Sequence, residues 1–192
     1  MDRKAFLKRA PLLGIAGGLG FTATACSTTT GTDGGNDVTG DLEILTNAAE
    51  RECVAIATYT AAAGVLETQA VLDTAIYYRG HHSEHLEIFN NLIVDLNGEP
   101  VIESDYEADP RVADVSSEED AVLLAMSLEI DAAQSYFQDS VTNLTNNSAR
   151  QAMGSIYSVE VAHFVTLKAA LGQQPNITGA TFVELSQDFT RF

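Results

Sequence analysis

Apolar residues recur along this chain with the period of a helix and not that of a strand. Four long segments carry the pattern. The first, Asp41 to Glu67, puts Leu45, Glu52, Tyr59 and Leu66 seven apart on one stripe. In the second, Ala70 to Leu96, Tyr78, His85 and Leu92 share a stripe with Ala75, His82, Phe89 and Leu96. The third runs from Ser117 to Leu144 and turns Val122, Ala125, Glu129, Ala132 and Tyr136 inward, with Ser116 and Glu119 at capping-box spacing. The fourth, Ser148 to Leu171, lines up Met153, Ile156, Glu160, His163, Leu167 and Ala170. Gly98 and Gly172 are the expected stops after the second and fourth segments.

The connections set the topology. Only a few residues join the first segment to the second and the third to the fourth, so each pair forms an antiparallel hairpin. Between the hairpins lies a polar, proline-containing stretch from Gly98 to Val115. Extended, it reaches ~60 Å, whereas a 25-residue helix is only ~37 Å long. It can therefore cross the whole bundle and leave the second and third helices parallel. The expectation is an all-α, up-down-down-up four-helix bundle spanning residues 41–172.

The two halves repeat. Glu52 and Tyr59 are seven apart, as are Glu129 and Tyr136, and seven residues drift only ~20° around a helix. His82 and His85 in the first hairpin correspond to Glu160 and His163 in the second. Three carboxylates on the inward stripes of three helices need a counter-charge, because an unpaired buried carboxylate costs several kcal/mol. Arg51, Arg79 and Arg150 lie off those stripes. Bound metal would supply the charge, and Glu160 and His163, one turn apart, can serve one centre together.

The Glu-x6-Tyr pattern on the first and third helices, with Glu-x-x-His on the fourth, resembles the ferritin-like superfamily of carboxylate-bridged di-metal proteins, rubrerythrin and bacterioferritin among them. The resemblance implies that Glu52, His85, Glu129, Glu160 and His163 are ligands. His82 stands where the family has a fourth glutamate; it either ligates directly or leaves the carboxylate role to a shifted Glu84 or Glu50. Tyr59, Tyr136 and His81 are then outer partners of the ligands, Cys53 is a small core residue, and Glu50 is solvated. The resemblance implies one or two metal ions, iron first with manganese or zinc as alternatives, and oxygen or peroxide as co-substrate in an oxidase- or peroxidase-like role. The His82 departure also leaves open a degenerate bundle without redox turnover, acting as an envelope stress or structural protein, or a zinc or copper carrier.

Charge and the first forty residues add an address. The 192 residues carry a formal charge of −17. Arg3, Lys4, Lys8 and Arg9 hold four of the ten basic charges, and beyond them Lys168 is the last lysine. Such a surface repels nucleic-acid phosphates. Residues 1–25 read as an export signal, with a basic start and a mild apolar stretch from Ala10 to Ala25. Arg3-Lys4-Ala5-Phe6-Leu7-Lys8 resembles the twin-arginine motif, with Lys4 at the second arginine. Ala23-Thr24-Ala25-Cys26 resembles a lipoprotein box that would lipidate Cys26 and attach the chain to a membrane. Residues 26–40 read as a polar tether, and residues 173–192 as a tail packing through Phe182, Leu185 and Phe189. The expectation is a periplasmic or cell-surface lipoprotein.

Overall fold

Helices form over the four periodic segments in a computed structural model that describes residues 37–172. They are α1 (Val38–Ala62), α2 (Gln69–Asp95), α3 (Glu118–Gln138) and α4 (Asn147–Ala170). Short 3-10 turns follow α1 (Ala63–Val65) and punctuate the crossover (Glu103–Asp105 and Pro110–Asp114). A π-turn, Asp139–Asn143, closes α3. There is no strand among the described residues. No described helix is long and apolar enough to cross a membrane. The export signal, Cys26 and the residue 173–192 tail lie outside the described residues.

Contacts at the helix ends fix the directions. Glu118, at the start of α3, accepts hydrogen bonds from the backbone N–H groups of Glu67 and Thr68, beyond the end of α1. α3 therefore begins where α1 ends, antiparallel to it. At the opposite end Asp41, in the first turn of α1, accepts from Thr145 N, Thr145 Oγ1 and Asn146 N at 2.7–2.8 Å. α4 thus starts beside the start of α1. The order is up-down-down-up, as the loop lengths predict. The crossover is held to the bundle by Asn90, whose amide exchanges two hydrogen bonds with the Val101 backbone, and by Thr58, which accepts from Asp109 N.

Several local expectations need correction. The α3 cap sits one residue later than Ser116 and Glu119: Ser117 accepts from Asp120 N, and the Asp120 carboxylate accepts from both Ser116 and Ser117. With Ser117 as the cap, Asp120 stands three residues on, the position from which a carboxylate reaches back to the cap. After α2 the left-handed residue is Asn97 (φ 63°), not Gly98. Gly98 is required for space, since a Cβ there would lie 2.7 Å from Leu42 Cδ2 and 2.8 Å from Ile93 Cγ2. Gly172 does take the left-handed conformation (φ 70°). Leu66 lies beyond α1, and Ala170 is exposed at the end of α4. Lys168 is buried, with its ammonium 5.9 Å from the centre of the Phe164 ring.

The apolar core is divided. One cluster gathers Leu45, Cys53, Phe89, Ile93, Tyr136 and Met153 toward the start of α1. The other gathers Tyr59, Tyr78, Val122, Met126, Ile130 and Phe164 toward its end. Between them, at mid-height, lie the buried charges.

Candidate metal centre

Each helix delivers its polar residues to the gap between the two clusters. α1 supplies Glu52, α2 supplies His82 and His85, α3 supplies Glu129, and α4 supplies Glu160 and His163. All six are buried, none more than 5% exposed. The three-residue spacing on α2 and α4 places both members of each pair on the inner face one turn apart. Two groups that could hold a metal ion result, Glu52–His82–His85–Glu160 and His82–Glu129–Glu160–His163, each offering atoms within 4.8 Å of one another. His82 and Glu160 belong to both.

The distances show how the groups face each other. His82 Nδ1 lies 2.8 Å from Glu52 Oε2 and its Nε2 lies 3.3 Å from Glu129 Oε1. His163 Nδ1 is 3.1 Å from Glu129 Oε2 and 3.2 Å from Glu160 Oε2. His85 Nδ1 and Glu160 Oε1 approach to 2.8 Å, yet neither atom has a hydrogen-bond partner of acceptable geometry. The contact brings the two atoms close without directing a proton along the line between them. Two buried orphan atoms at this spacing are what a shared cation would satisfy.

The tyrosines cross between the halves. Tyr59 of α1 donates to Glu129 Oε1 of α3. Tyr136 of α3 donates to Glu52 Oε1 of α1 at 2.6 Å. Each carboxylate is thereby oriented by the other half of the repeat. Glu-x6-Tyr spacing places each pair on a face but does not say that the partners exchange. Tyr78 stacks on His163 with ring centres 3.9 Å apart. His81 is half-buried, and its Nδ1 lies 2.8 Å from His163 Nε2. This leaves His163 Nδ1 for the carboxylates and the centre.

The electrostatics are strongly coupled. Burial pushes the Glu52 carboxyl up, but its hydrogen bond with His82 and the charge of His82 and His85 reverse this and hold it at about 2. For Glu129 burial is likewise overcome by the charge of His82 and by hydrogen bonds, leaving it well below the usual carboxylate range. Glu160 is raised by burial and by the negative Glu129 beside it. Burial would lower the histidines, but facing carboxylates raise His82 well above its ordinary value, His85 to about 9, and His163 upward. Imidazolium thus offsets carboxylate when no metal is bound. Tyr59 and Tyr136 are held well above the normal phenol range by burial and neighbouring carboxylates.

Two predicted substitutes for the fourth glutamate are elsewhere. Glu84 is exposed. Glu50 is neither at the centre nor simply solvated, since it accepts a hydrogen bond from Tyr106 of the crossover at 2.8 Å. Cys53 is fully buried in the first core cluster, and burial lifts its thiol to about 11. A polar cleft of about 600 Å³ lies between α1, α3 and the crossover. It reaches Glu52, His82 and Tyr136 and carries Arg51, Arg111, Asp109 and Asp131 on its walls. Arg111 is fixed by a forked pair with Asp109 and a bond to Ser127. Nothing in the residue 98–115 stretch signals this arrangement before the chain is folded.

Comparison with known proteins agrees with this architecture. No curated protein matches the sequence. Among solved structures the chain is similar to the bacterioferritin-related protein from Bacteroides fragilis, described as a dodecameric thioferritin. The TM-score is 0.62 at 18% identity, over 81% of this chain and 94% of that one. At that identity the likeness establishes a common fold. Residues 40–173, well over half the chain and the whole of the bundle, match the ferritin-like domain, and the chain belongs to that family.

Proposed function

We propose that this bundle binds metal between its two hairpins, using Glu52, His82, His85, Glu129, Glu160 and His163. The observation that carries the reading is the pair of overlapping four-ligand sets around the orphaned atoms His85 Nδ1 and Glu160 Oε1. A glutamate and histidine donor set suits iron, manganese or zinc. We take iron as the principal ion, in a metal-handling or oxidative-stress role of oxidase or peroxidase type. Bound iron would supply electron transfer to oxygen or peroxide. The protein's own residues bind and orient: Tyr59 and Tyr136 hold Glu129 and Glu52, His81 holds His163, and two apolar clusters limit water at either end. Export and attachment through Cys26 would put this chemistry at the outer face of a membrane.

Engagement of both His82 nitrogens by carboxylates favours a second reading, a bundle neutralised by imidazolium with no redox turnover. Metal analysis after reconstitution with ferrous iron or manganese decides between them. At least one tightly held ion per chain, with a chelator-sensitive melting temperature, supports the metal centre. Less than one ion per chain, with identical melts in chelator, overturns it.

A further inference from the structure

His82 and Glu160 belong to both ligand groups, and each divides its two polar atoms between them. On the Glu52 side, His82 Nδ1 lies 2.8 Å from Glu52 Oε2 and 4.0 Å from Glu160 Oε1. His85 Nδ1 lies 2.8 Å from the same Glu160 oxygen and 3.7 Å from Glu52 Oε1. On the Glu129 side the opposite atoms are presented. His82 Nε2 is 3.3 Å from Glu129 Oε1, and His163 Nδ1 is 3.1 Å from Glu129 Oε2 and 3.2 Å from Glu160 Oε2. The centre thus offers two positions, a Glu52 position and a Glu129 position, on opposite edges of one imidazole ring.

The two shared residues differ in what they can bridge. A carboxylate offers lone pairs on both oxygens at once, whereas a neutral imidazole has a lone pair on one nitrogen and a proton on the other. His82 can therefore serve one position or the other. The nitrogen that keeps its proton faces the glutamate of the other position, Glu129 Oε1 or Glu52 Oε2, and can donate to it. Charge points the same way. Two divalent ions would set four positive charges against three carboxylates, and buried charge without a partner is strongly disfavoured. Hydrogen bonding sets the order of the positions. Both orphaned atoms, His85 Nδ1 and Glu160 Oε1, belong to the Glu52 position. In the Glu129 position His82 Nε2 and His163 Nδ1 already face carboxylate oxygens at hydrogen-bond distance. Of the six residues, only Glu52 and His82 line the polar cleft.

We propose that the two groups are alternative positions for one divalent ion, which rests in the Glu52 position, and that occupation of either closes the other through the His82 ring. This rests on the metal reading and deepens it, from a bundle that binds metal to one that holds a single ion at a time. Glu160 keeps one oxygen for each position, so an ion displaced from the first has a second prepared for it. The ring of His82 then decides which is open.

Manganese tests this in the full chain. At saturating manganous ion the wild type is expected to hold one ion per chain, with the electron paramagnetic resonance of an isolated ion. Its crystals should show a single anomalous peak among Glu52, His82, His85 and Glu160. His163→Gln should leave the peak in that place. His85→Gln should move it to Glu129, His82, Glu160 and His163, with affinity lower by roughly tenfold or more. Circular dichroism and a cooperative melt check the fold of each variant, and Glu52→Gln carries the same expectation if His85→Gln does not fold. Two ions per chain with a spin-coupled signal overturn the proposal and leave the metal reading intact. A wild-type peak beside Glu129 and His163 also overturns it, as does complete loss of manganese from folded His85→Gln. Absence of any bound manganese or ferrous ion in the wild type defeats the metal reading itself, and the proposal with it.

Discussion

His82 is the residue on which the centre turns. It occupies the position that the repeat pairs with Glu160, and it reaches a carboxylate with each nitrogen. Replacing it with glutamate removes one buried cation and adds a fourth buried carboxylate. Without metal, His82→Glu should therefore destabilise the protein by ~3–5 kcal/mol, the usual cost of an uncompensated buried charge. With manganese or iron the loss should be recovered, and ions bound per chain should rise from one toward two. Paired melts in chelator and in metal, together with metal analysis, check both halves. A variant whose stability and stoichiometry match the wild type would show that residue 82 does not set the charge balance. The same pairs give the metal-free protein a pH window. His85 is raised from 6.5 to about 9 in the fold, so its contribution is complete below 6.5 and is lost as pH rises through about 9. Glu52 is lowered from 4.5 to about 2, so its contribution is complete above 4.5 and is lost as pH falls through about 2. Metal-free protein should melt highest between pH 4.5 and 6.5. Its melting temperature should fall by roughly 5 °C or more toward pH 9. A flat profile over that range would contradict the pairing.

At the scale of the elements, one buried side chain makes three of the hydrogen bonds that join the start of α1 to the turn before α4. Asp41 is 1% exposed and accepts three hydrogen bonds from Thr145 and Asn146. Asp41→Ala would strand three donors at the start of α4, and hydrogen bonds to a charged partner each carry ~1.5–3 kcal/mol. The expected loss is ~3 kcal/mol after water re-solvates part of the set. Chemical denaturation of the wild type and variant measures it directly; a loss under ~1 kcal/mol would mean that solvent already satisfies those groups. The elements also show where sequence pattern stops being informative. Periodicity locates all four helices, because an inward stripe of Leu45, Glu52 and Tyr59 or of Glu129 and Tyr136 repeats whatever the surroundings. It places the six charged residues on those stripes for the same reason. It does not reveal that Tyr59 and Tyr136 exchange glutamates, because that depends on how two helices are set side by side. Nor does it reveal the Ser117–Asp120 cap, where two serines compete and local geometry chooses. The cleft walls from Asp109 and Arg111 are also illegible, since a crossover without periodicity takes its shape from contacts such as Asn90 with Val101.

For the molecule as a whole, charge and access come together at the polar cleft. A formal charge of −17 surrounds the bundle with a field that draws in cations. Inside the cleft Glu50, Asp131 and Asp139 stand along the approach to Glu52, opposed by Arg51 and by an Arg111 whose charge is already paired with Asp109. Fields of this kind govern the rate of arrival more than the final affinity, and they are screened by salt over ~10 Å at 0.1 M. Manganese loading should consequently be faster at low ionic strength and slow by roughly tenfold toward 0.5 M salt. Asp131→Asn and Asp139→Asn should slow loading and flatten the salt dependence, leaving the number of ions bound at equilibrium unchanged. Arg51→Gln should act in the opposite direction, because it removes the cation that is not held by a carboxylate in the cleft. Stopped-flow loading of metal-free protein across a salt series gives the slopes. If all three variants keep the wild-type slope, ions enter by another face, and the cleft has no part in their passage.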